Sequence, residues 1–339
     1  MNEAHAAGLT IGELGEAGVL TRVLARLGEA AAATVGPGDD AAVLTSAGDL
    51  VVTSDAMIEG PDFRLSWSSG YELGWKLAAT NLSDVAAMGA MPIGLTVIIA
   101  APASTPVALL EAIASGLDDA CRDLAPGCGV VGGDLSNAPV LSCAVTALGD
   151  LGGRRPVLRS GARAGDVVAY AGDLGLAGRG LSLLFERCGD EQEDDGQPVE
   201  ERLTLLRAAH PIVLAAQLAP APPIAAGVRA ADGGATAMMD VSDSLSLDAA
   251  RLGKASSVTL DLDPALLAAG FGWQRGEAVS VEDMLTGGED HGMLATFPAG
   301  APLPEGFAPI GRAVARGATL LLGGEASEPR GWDPYRSGR

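Results

Sequence analysis

The sequence predicts an α/β protein in two domains. Three observations point there. The chain has 339 residues, enough to bury two cores. Apolar β-like runs alternate with helical patterns through residues 1–150. A basic turn, GGRRPVLRSGARAGD (152–166), then opens a second half in which the alternation resumes. The expected domains are therefore 1–150 and 151–339.

LVVTSD (50–55) reads as a short strand ending on a carboxylate, and YELGWKLAATNLSDVAAMGA (71–90) as a helix stopped by Gly89 and Pro92. IGLTVIIAAP (93–102) is a buried strand rich in β-branched residues. STPVALLEAIASGLDDACRDL follows with a Ser/Thr cap signal and Pro near its first turn. Its Val107, Leu110, Ile113, Leu117, Cys121 and Leu124 recur at helical spacing. GVVGGD and VLSCAVTALGD are two further strands. In the second half, VVAYAGDLGLAGRGLSLL reads as strand, glycine-rich turn and helix. CGDEQEDDGQPVEE (188–201) is acidic, lacks apolar periodicity and reads as an exposed loop. ATAMMDVSDSLSLDAARL is strand, acidic turn, helix; VTLDLDP is a strand; MLTGGEDHGMLATFP and LLLGG close the sheet.

Composition narrows the function. A net charge of −21 argues against nucleic acid or an anionic membrane as partner, though not against a phosphorylated ligand whose charge is met by cations. No apolar run reaches the ~18–20 residues of a membrane span. The opening MNEAHAAGLTIGELGE has two early acids and no basic run, unlike a secretory leader. Cys121, Cys128, Cys143 and Cys188 form no CxxC pair and read as reduced thiols of a cytoplasmic protein. With three histidines, a His-rich metal site is excluded.

What recurs is a hydrophobic run that meets Asp: Asp39 and Asp40 in GPGDD, Asp55 in VVTSD, Asp134 in VVGGD, and Asp240 and Asp243 in MMDVSD. One such site is an ordinary turn or cap; the repetition suggests carboxylates gathered where the strands of an open α/β sheet end. Asp84 belongs with them by another route. It shares a face of the 71–90 helix with Lys76, Thr80 and Asn81, a narrow polar stripe open to solvent or to a site. Two carboxylates roughly 5 Å apart repel by about 3 kcal/mol at an effective dielectric near 20, so a convergent set calls for cations. All-oxygen ligands select hard ions, and Mg²⁺ bridging carboxylates to phosphates suits the pattern. No Walker loop is present, and GDLGLAGRGL is a weak glycine-rich signal. Arg159 and Arg163 are the better anion candidates, or else a basic surface turn.

GPGDDAAVL, VVTSD, DFRLSW, NLSDVAAMGA, GVVGGD, VLRSGARAGD, MMDVSDSL, GGEDH and a late GW occur in that order from residue 36 to residue 332. In order and spacing the set resembles the thiamine-monophosphate kinase family, within the superfamily of aminoimidazole ribonucleotide and selenophosphate synthetases. The resemblance implies an α+β two-domain kinase whose N-terminal sheet forms a homodimer interface. It implies ATP-dependent phosphorylation of thiamine monophosphate to thiamine diphosphate, with several Mg²⁺ ions. It implies metal ligands at Asp40, Thr53, Ser54, Asp55, Asp84, Asp134, Asp240 and Asp243, of which Asp55, Asp84, Asp134 and Asp240 would act most directly on transfer. ATP contacts would be Gly133, Asp134, Arg159 and Ser242; substrate contacts would be Asp62, Glu289 and Trp332.

The chain departs from the family pattern in three places. Asp62 precedes Phe63 where His is usual. DVSDS carries Ser244 where DxSDG has a glycine, which is expected to relax a tight turn. GGEDH has His291 for a frequent Tyr and Gly292 for a frequent Glu. Other readings are a non-catalytic or differently specific ATP-binding member, such as an aminoimidazole ribonucleotide synthetase. Selenophosphate synthetase fits less well, since no cysteine precedes Cys121.

Overall fold

The computed structural model describes residues 8–189 and 198–332. The chain divides into two compact units, Met1–Leu82 with Pro92–Asp150, and Ser83–Met91 with Leu151–Arg339. The acidic 188–201 stretch lies mostly outside the described residues; Cys188 ends one helix and Val199 begins the next.

In the first unit a four-stranded sheet runs in the order Leu50–Ile58, Ser142–Asp150, Met91–Ala101, Val130–Asn137. The first two strands are antiparallel, paired from Leu50↔Asp150 to Ile58↔Ser142, and the last two are parallel. Two helices, Gly70–Ala87 and Val107–Leu124, supply much of the core. The helical spacing holds: Val107, Leu110, Ile113, Leu117 and Cys121 are buried, while Leu124 is half-buried. Pro106, without a capping side chain, occupies the N-cap where Ser/Thr capping was expected. The helices touch backbone to backbone. A Cβ on Gly74 would stand 1.9 Å from the Ile113 carbonyl oxygen, and one on Gly116 2.0 Å from that of Tyr71.

The last turn of the Gly70–Ala87 helix belongs with the second unit. Gly227 lies against the Ala86 carbonyl, Val157 N–H donates to Met88 O at 3.0 Å, and Arg154 Nε donates to Gly89 O at 3.2 Å. That unit holds a seven-stranded sheet in the order Glu325–Ser327, Leu320–Leu322, Val258–Leu262, Ala308–Ala315, Val167–Ala171, Met293–Phe297, Ala237–Asp240. Its neighbours are antiparallel except Leu320–Leu322 beside Val258–Leu262. The core includes Tyr170, Leu260, Leu262, Leu294 and Ile310, with Tyr170 edge-to-face on Phe271 at 5.4 Å.

The architecture is α+β, and this corrects one expectation. The acids were to lie where strands of an open, parallel-type sheet end, yet only Asp240 does. Leu50–Ile58 continues past Asp55, which pairs with Val145, and Val130–Asn137 continues past Asp134, which pairs with Ile98. Backbone pairing with the neighbouring strand sets where a strand stops, and a carboxylate on the sheet surface does not interrupt it.

Candidate active site

In the first unit, the GPGDD pair divides its work. Asp39 Oδ1 accepts the Asp40 N–H at 2.8 Å, which braces the turn and leaves the Asp40 side chain exposed. Thr53, Ser54 and Asp55 are split by the pleat, since successive strand side chains face opposite ways. Thr53 and Asp55 share a face with Ala147 and Val145, both buried. Ser54 lies on the other face, its hydroxyl 3.0 Å from Val145 O and 3.1 Å from Thr146 Oγ1. The structure therefore brings Thr53 and Asp55 together but turns the Ser54 side chain away. Asp62 Oδ2 accepts the Ile58 N–H at 2.8 Å, so this unusual residue caps its own loop beside buried Phe63.

Gly133 has a structural reason to be glycine: a Cβ there would stand 2.0 Å from the Val97 carbonyl oxygen across the parallel ladder. Asp134 next to it is exposed and accepts from Ser136 Oγ at 2.6 Å. The polar stripe of the Gly70–Ala87 helix is not a solvent face, because Lys76 is 6 % exposed and Asn81 fully buried. Asn81 Oδ1 has no hydrogen-bond partner there, an uncommon and costly state for a buried amide.

In the second unit, DVSD and GGEDH lie side by side. Glu289 N–H donates to Ser242 O at 2.7 Å, His291 N–H to Val241 O at 2.9 Å, and Val241 N–H to Gly292 O at 2.9 Å. Gly288 permits this, since its Cβ would stand 2.6 Å from Ser242 O. Glu289 (φ 65°) and His291 (φ 53°) are both left-handed, a conformation that non-glycine residues adopt at a cost and that concentrates at functional sites. Asp240, 3 % exposed, accepts from Ser83 Oγ at 3.1 Å and faces His291 Nδ1 at 3.3 Å. Arg251 bonds both Asp243 and Asp248, and the Asp248 carboxylate receives the N–H groups of Asp243 and Ser244 at 3.2 and 3.3 Å. Gln217 Nε2 donates to Glu289.

The departure at Ser244 resolves differently from expectation. With φ 172° the backbone is extended and needs no glycine; Ser244 instead caps the Leu245–Ser256 helix through the Leu247 N–H at 3.1 Å. Trp332 is exposed, and its N–H donates to Asp243 O at 3.2 Å. Arg159 and Arg163 are exposed on a loop fixed from below. Ser256 Oγ accepts from Gly161 and Ala162 N–H at 3.1 Å each and donates to Arg159 O at 2.9 Å.

The glycine-rich turn of GDLGLAGRGL is already taken by an internal carboxyl group. Asp290 accepts the Gly175 N–H at 2.5 Å and the Ala177 N–H at 2.9 Å, at the start of the Leu176–Cys188 helix. Burial pushes its carboxyl up to about 7, against the two backbone donors that favour the charged form. A carboxyl raised above its unfolded value holds its proton more firmly in the folded state. Its contribution to stability is therefore largest in acid, below pH ~4, and is lost as pH rises towards 7. Urea melts across that range should show this slope in the native protein and a flatter one in Asp290→Asn; identical slopes would remove Asp290 as its source.

The donor chemistry fits a hard cation. Every candidate ligand offers carboxylate or hydroxyl oxygen. Among the described residues no three His, Cys, Asp or Glu side chains gather closely enough to hold an ion by themselves. A cation would thus complete its shell with water and phosphate oxygens, the habit of Mg²⁺.

Fold and acidic segments together define a class: residues 38–151 match the family of AIR synthase related proteins, N-terminal domain. Over nearly the whole chain the likeness is narrower. The thiamine-monophosphate kinase of Mycobacterium tuberculosis H37Rv is 38 % identical over 334 residues, covering 96 % of this chain and 93 % of that one. Among solved structures, thiamine-monophosphate kinase from Stenotrophomonas maltophilia K279a is 29 % identical at TM-score 0.71, covering 91 % of this chain and 97 % of its own. AaThiL complexed with AMPPCP and TMP is 28 % identical at TM-score 0.68, covering 94 % and 97 %. The chain belongs to the thiamine-monophosphate kinase family.

Ser83, Gln217, Asp248, Arg251 and Asp290 support the site without standing out in the sequence. Ser83, Gln217 and Asp290 meet partners far away in the sequence, whereas Asp248 and Arg251 brace Asp243 from the following helix.

Proposed function

We propose that this protein transfers the γ-phosphoryl group of ATP to the phosphate of thiamine monophosphate, giving thiamine diphosphate. The observation that carries the reading is the near full-length likeness to thiamine-monophosphate kinases, beside the ordered acidic segments of this sequence. A relative of similar fold solved with AMPPCP and TMP supports it.

The acceptor is already an anionic oxygen, so the chain needs neither a strong base nor a covalent nucleophile. Its cysteines suit that: all four are buried, and burial pushes the Cys143 thiol up to about 12. By the family resemblance, Asp40, Thr53, Asp55, Asp84, Asp134, Asp240 and Asp243 would be Mg²⁺ ligands, and Asp55, Asp84, Asp134 and Asp240 would act most directly on transfer. Mg²⁺, when bound, supplies the positive charge that lets two phosphates approach in line. Gly133, Asp134, Arg159 and Ser242 would position ATP. Trp332 offers an indole face to the cationic thiamine ring, and Glu289, oriented by Gln217, a carboxylate. Purified protein with ATP and Mg²⁺ should convert thiamine monophosphate and leave aminoimidazole ribonucleotide precursors untouched; the reverse preference would overturn the assignment.

The working form is a cytoplasmic homodimer joined through the N-terminal sheet. Leu50, Val52 and Ile58 are 55, 60 and 44 % exposed along one face of a strand, an apolar row that a second copy would cover. Val52→Asp should shift sedimentation from dimer to monomer. An unchanged dimer would place the interface elsewhere.

A further inference from the structure

Two buried serines hold the segment that carries Trp332. Ser244 Oγ and Ser246 Oγ both donate to the Arg330 carbonyl oxygen, each at 2.7 Å, and Ser246 Oγ accepts the Arg330 N–H at 2.9 Å. Ser244 is fully buried and Ser246 3 % exposed. Between the held Arg330 and Trp332, Gly331 has no room for a side chain: a Cβ would stand 2.4 Å from Ser244 Oγ and 2.7 Å from Leu247 Cδ1. On the far side, the Trp332 N–H donates to Asp243 O at 3.2 Å. The backbone on both sides of Gly331 is thus fixed, while the indole beyond it remains 42 % exposed.

We propose that Ser244 and Ser246 form a backbone clamp that sets the position of the Trp332 ring, and so act as positioning residues for the thiamine moiety of the substrate. The inference rests on the reading of Trp332 as a ring-binding residue. Hydroxyls with no view of solvent that converge on one carbonyl do more than close a helix end, since capping alone uses only the Ser244 bond to Leu247. Holding the ring in place lowers the ordering cost that each binding event would otherwise meet. The clamp touches neither nucleotide nor reacting phosphate in this scheme, so its effect should fall on one substrate only.

The test uses the full chain with Ser246→Ala, which removes one grip, and Gly331→Ala, which leaves both serines in the sequence but pushes the segment off Ser244. Both should raise KM for thiamine monophosphate by about tenfold, the loss of one or two hydrogen bonds. KM for ATP and kcat at saturation should stay within about twofold, and hydrogen exchange at the Arg330 and Trp332 amides should speed by at least about tenfold. A merely structural role would lower the melting temperature without this split. Trp332→Ala is the control. If it raises KM for thiamine monophosphate while both clamp variants leave it unchanged, the clamp is overturned and the Trp332 reading stands. If Trp332→Ala also leaves that KM unchanged, the ring-binding reading fails and the proposal with it.

Discussion

Asp240→Asn is expected to lower kcat by at least ~10³-fold with the fold preserved. The substitution keeps the shape of a side chain that is 3 % exposed, removes its charge and turns one acceptor oxygen into an amide donor. Ser83 Oγ at 3.1 Å and His291 Nδ1 at 3.3 Å both meet the same oxygen, Oδ2. Transfer between two phosphates depends on neutralised charge more than on any proton movement, so losing one buried carboxylate should fall on kcat. Asp84→Asn, from the same cluster of motifs, should behave alike. The measurement is turnover at saturating ATP and excess Mg²⁺, with circular dichroism to confirm the fold. Activity within tenfold of native would remove Asp240 from the catalytic set.

Gly292→Ala should destabilise the second unit by about 3 kcal/mol or more, at the upper end for overpacking. A Cβ at 292 would stand 2.1 Å from the Tyr170 hydroxyl oxygen, 2.3 Å from Cζ and 2.6 Å from the Ala171 carbonyl oxygen. Tyr170 has nowhere to retreat. It is fully buried, donates its hydroxyl to Asp173 O at 2.7 Å and packs edge-to-face on Phe271. The family's frequent Glu at this position is therefore excluded here by the neighbouring ring. The shift would also carry left-handed His291 away from Asp240, so activity should fall with stability. Urea denaturation midpoints read the effect directly, and an unchanged midpoint would show that Tyr170 yields.

The legible parts of this molecule are those written locally. The Val107–Leu124 helix follows from its apolar spacing, and the acidic segments were identified as a family by their order. Strand ends were misplaced at Asp55 and Asp134 because ladder partners, not charge, decide them. Ser54 was grouped with Thr53 and Asp55 although period-two geometry separates them. The supporting residues were illegible for a plainer reason. Ser83 meets Asp240 across 157 positions, Asp290 meets Gly175 across 115, and Gln217 meets Glu289 across 72. No window on the sequence spans such distances. Ser244 reads in the sequence as the loss of a turn glycine, because its extended φ and its grip on Arg330 exist only in the fold.

The acceptor is the phosphate of thiamine monophosphate. Single-turnover reaction with ATP labelled in its γ-phosphate tests it most directly. The label should appear in the terminal phosphate of thiamine diphosphate, one for each ADP released and only with Mg²⁺ present. ADP and labelled inorganic phosphate, with unlabelled thiamine monophosphate recovered, would contradict it.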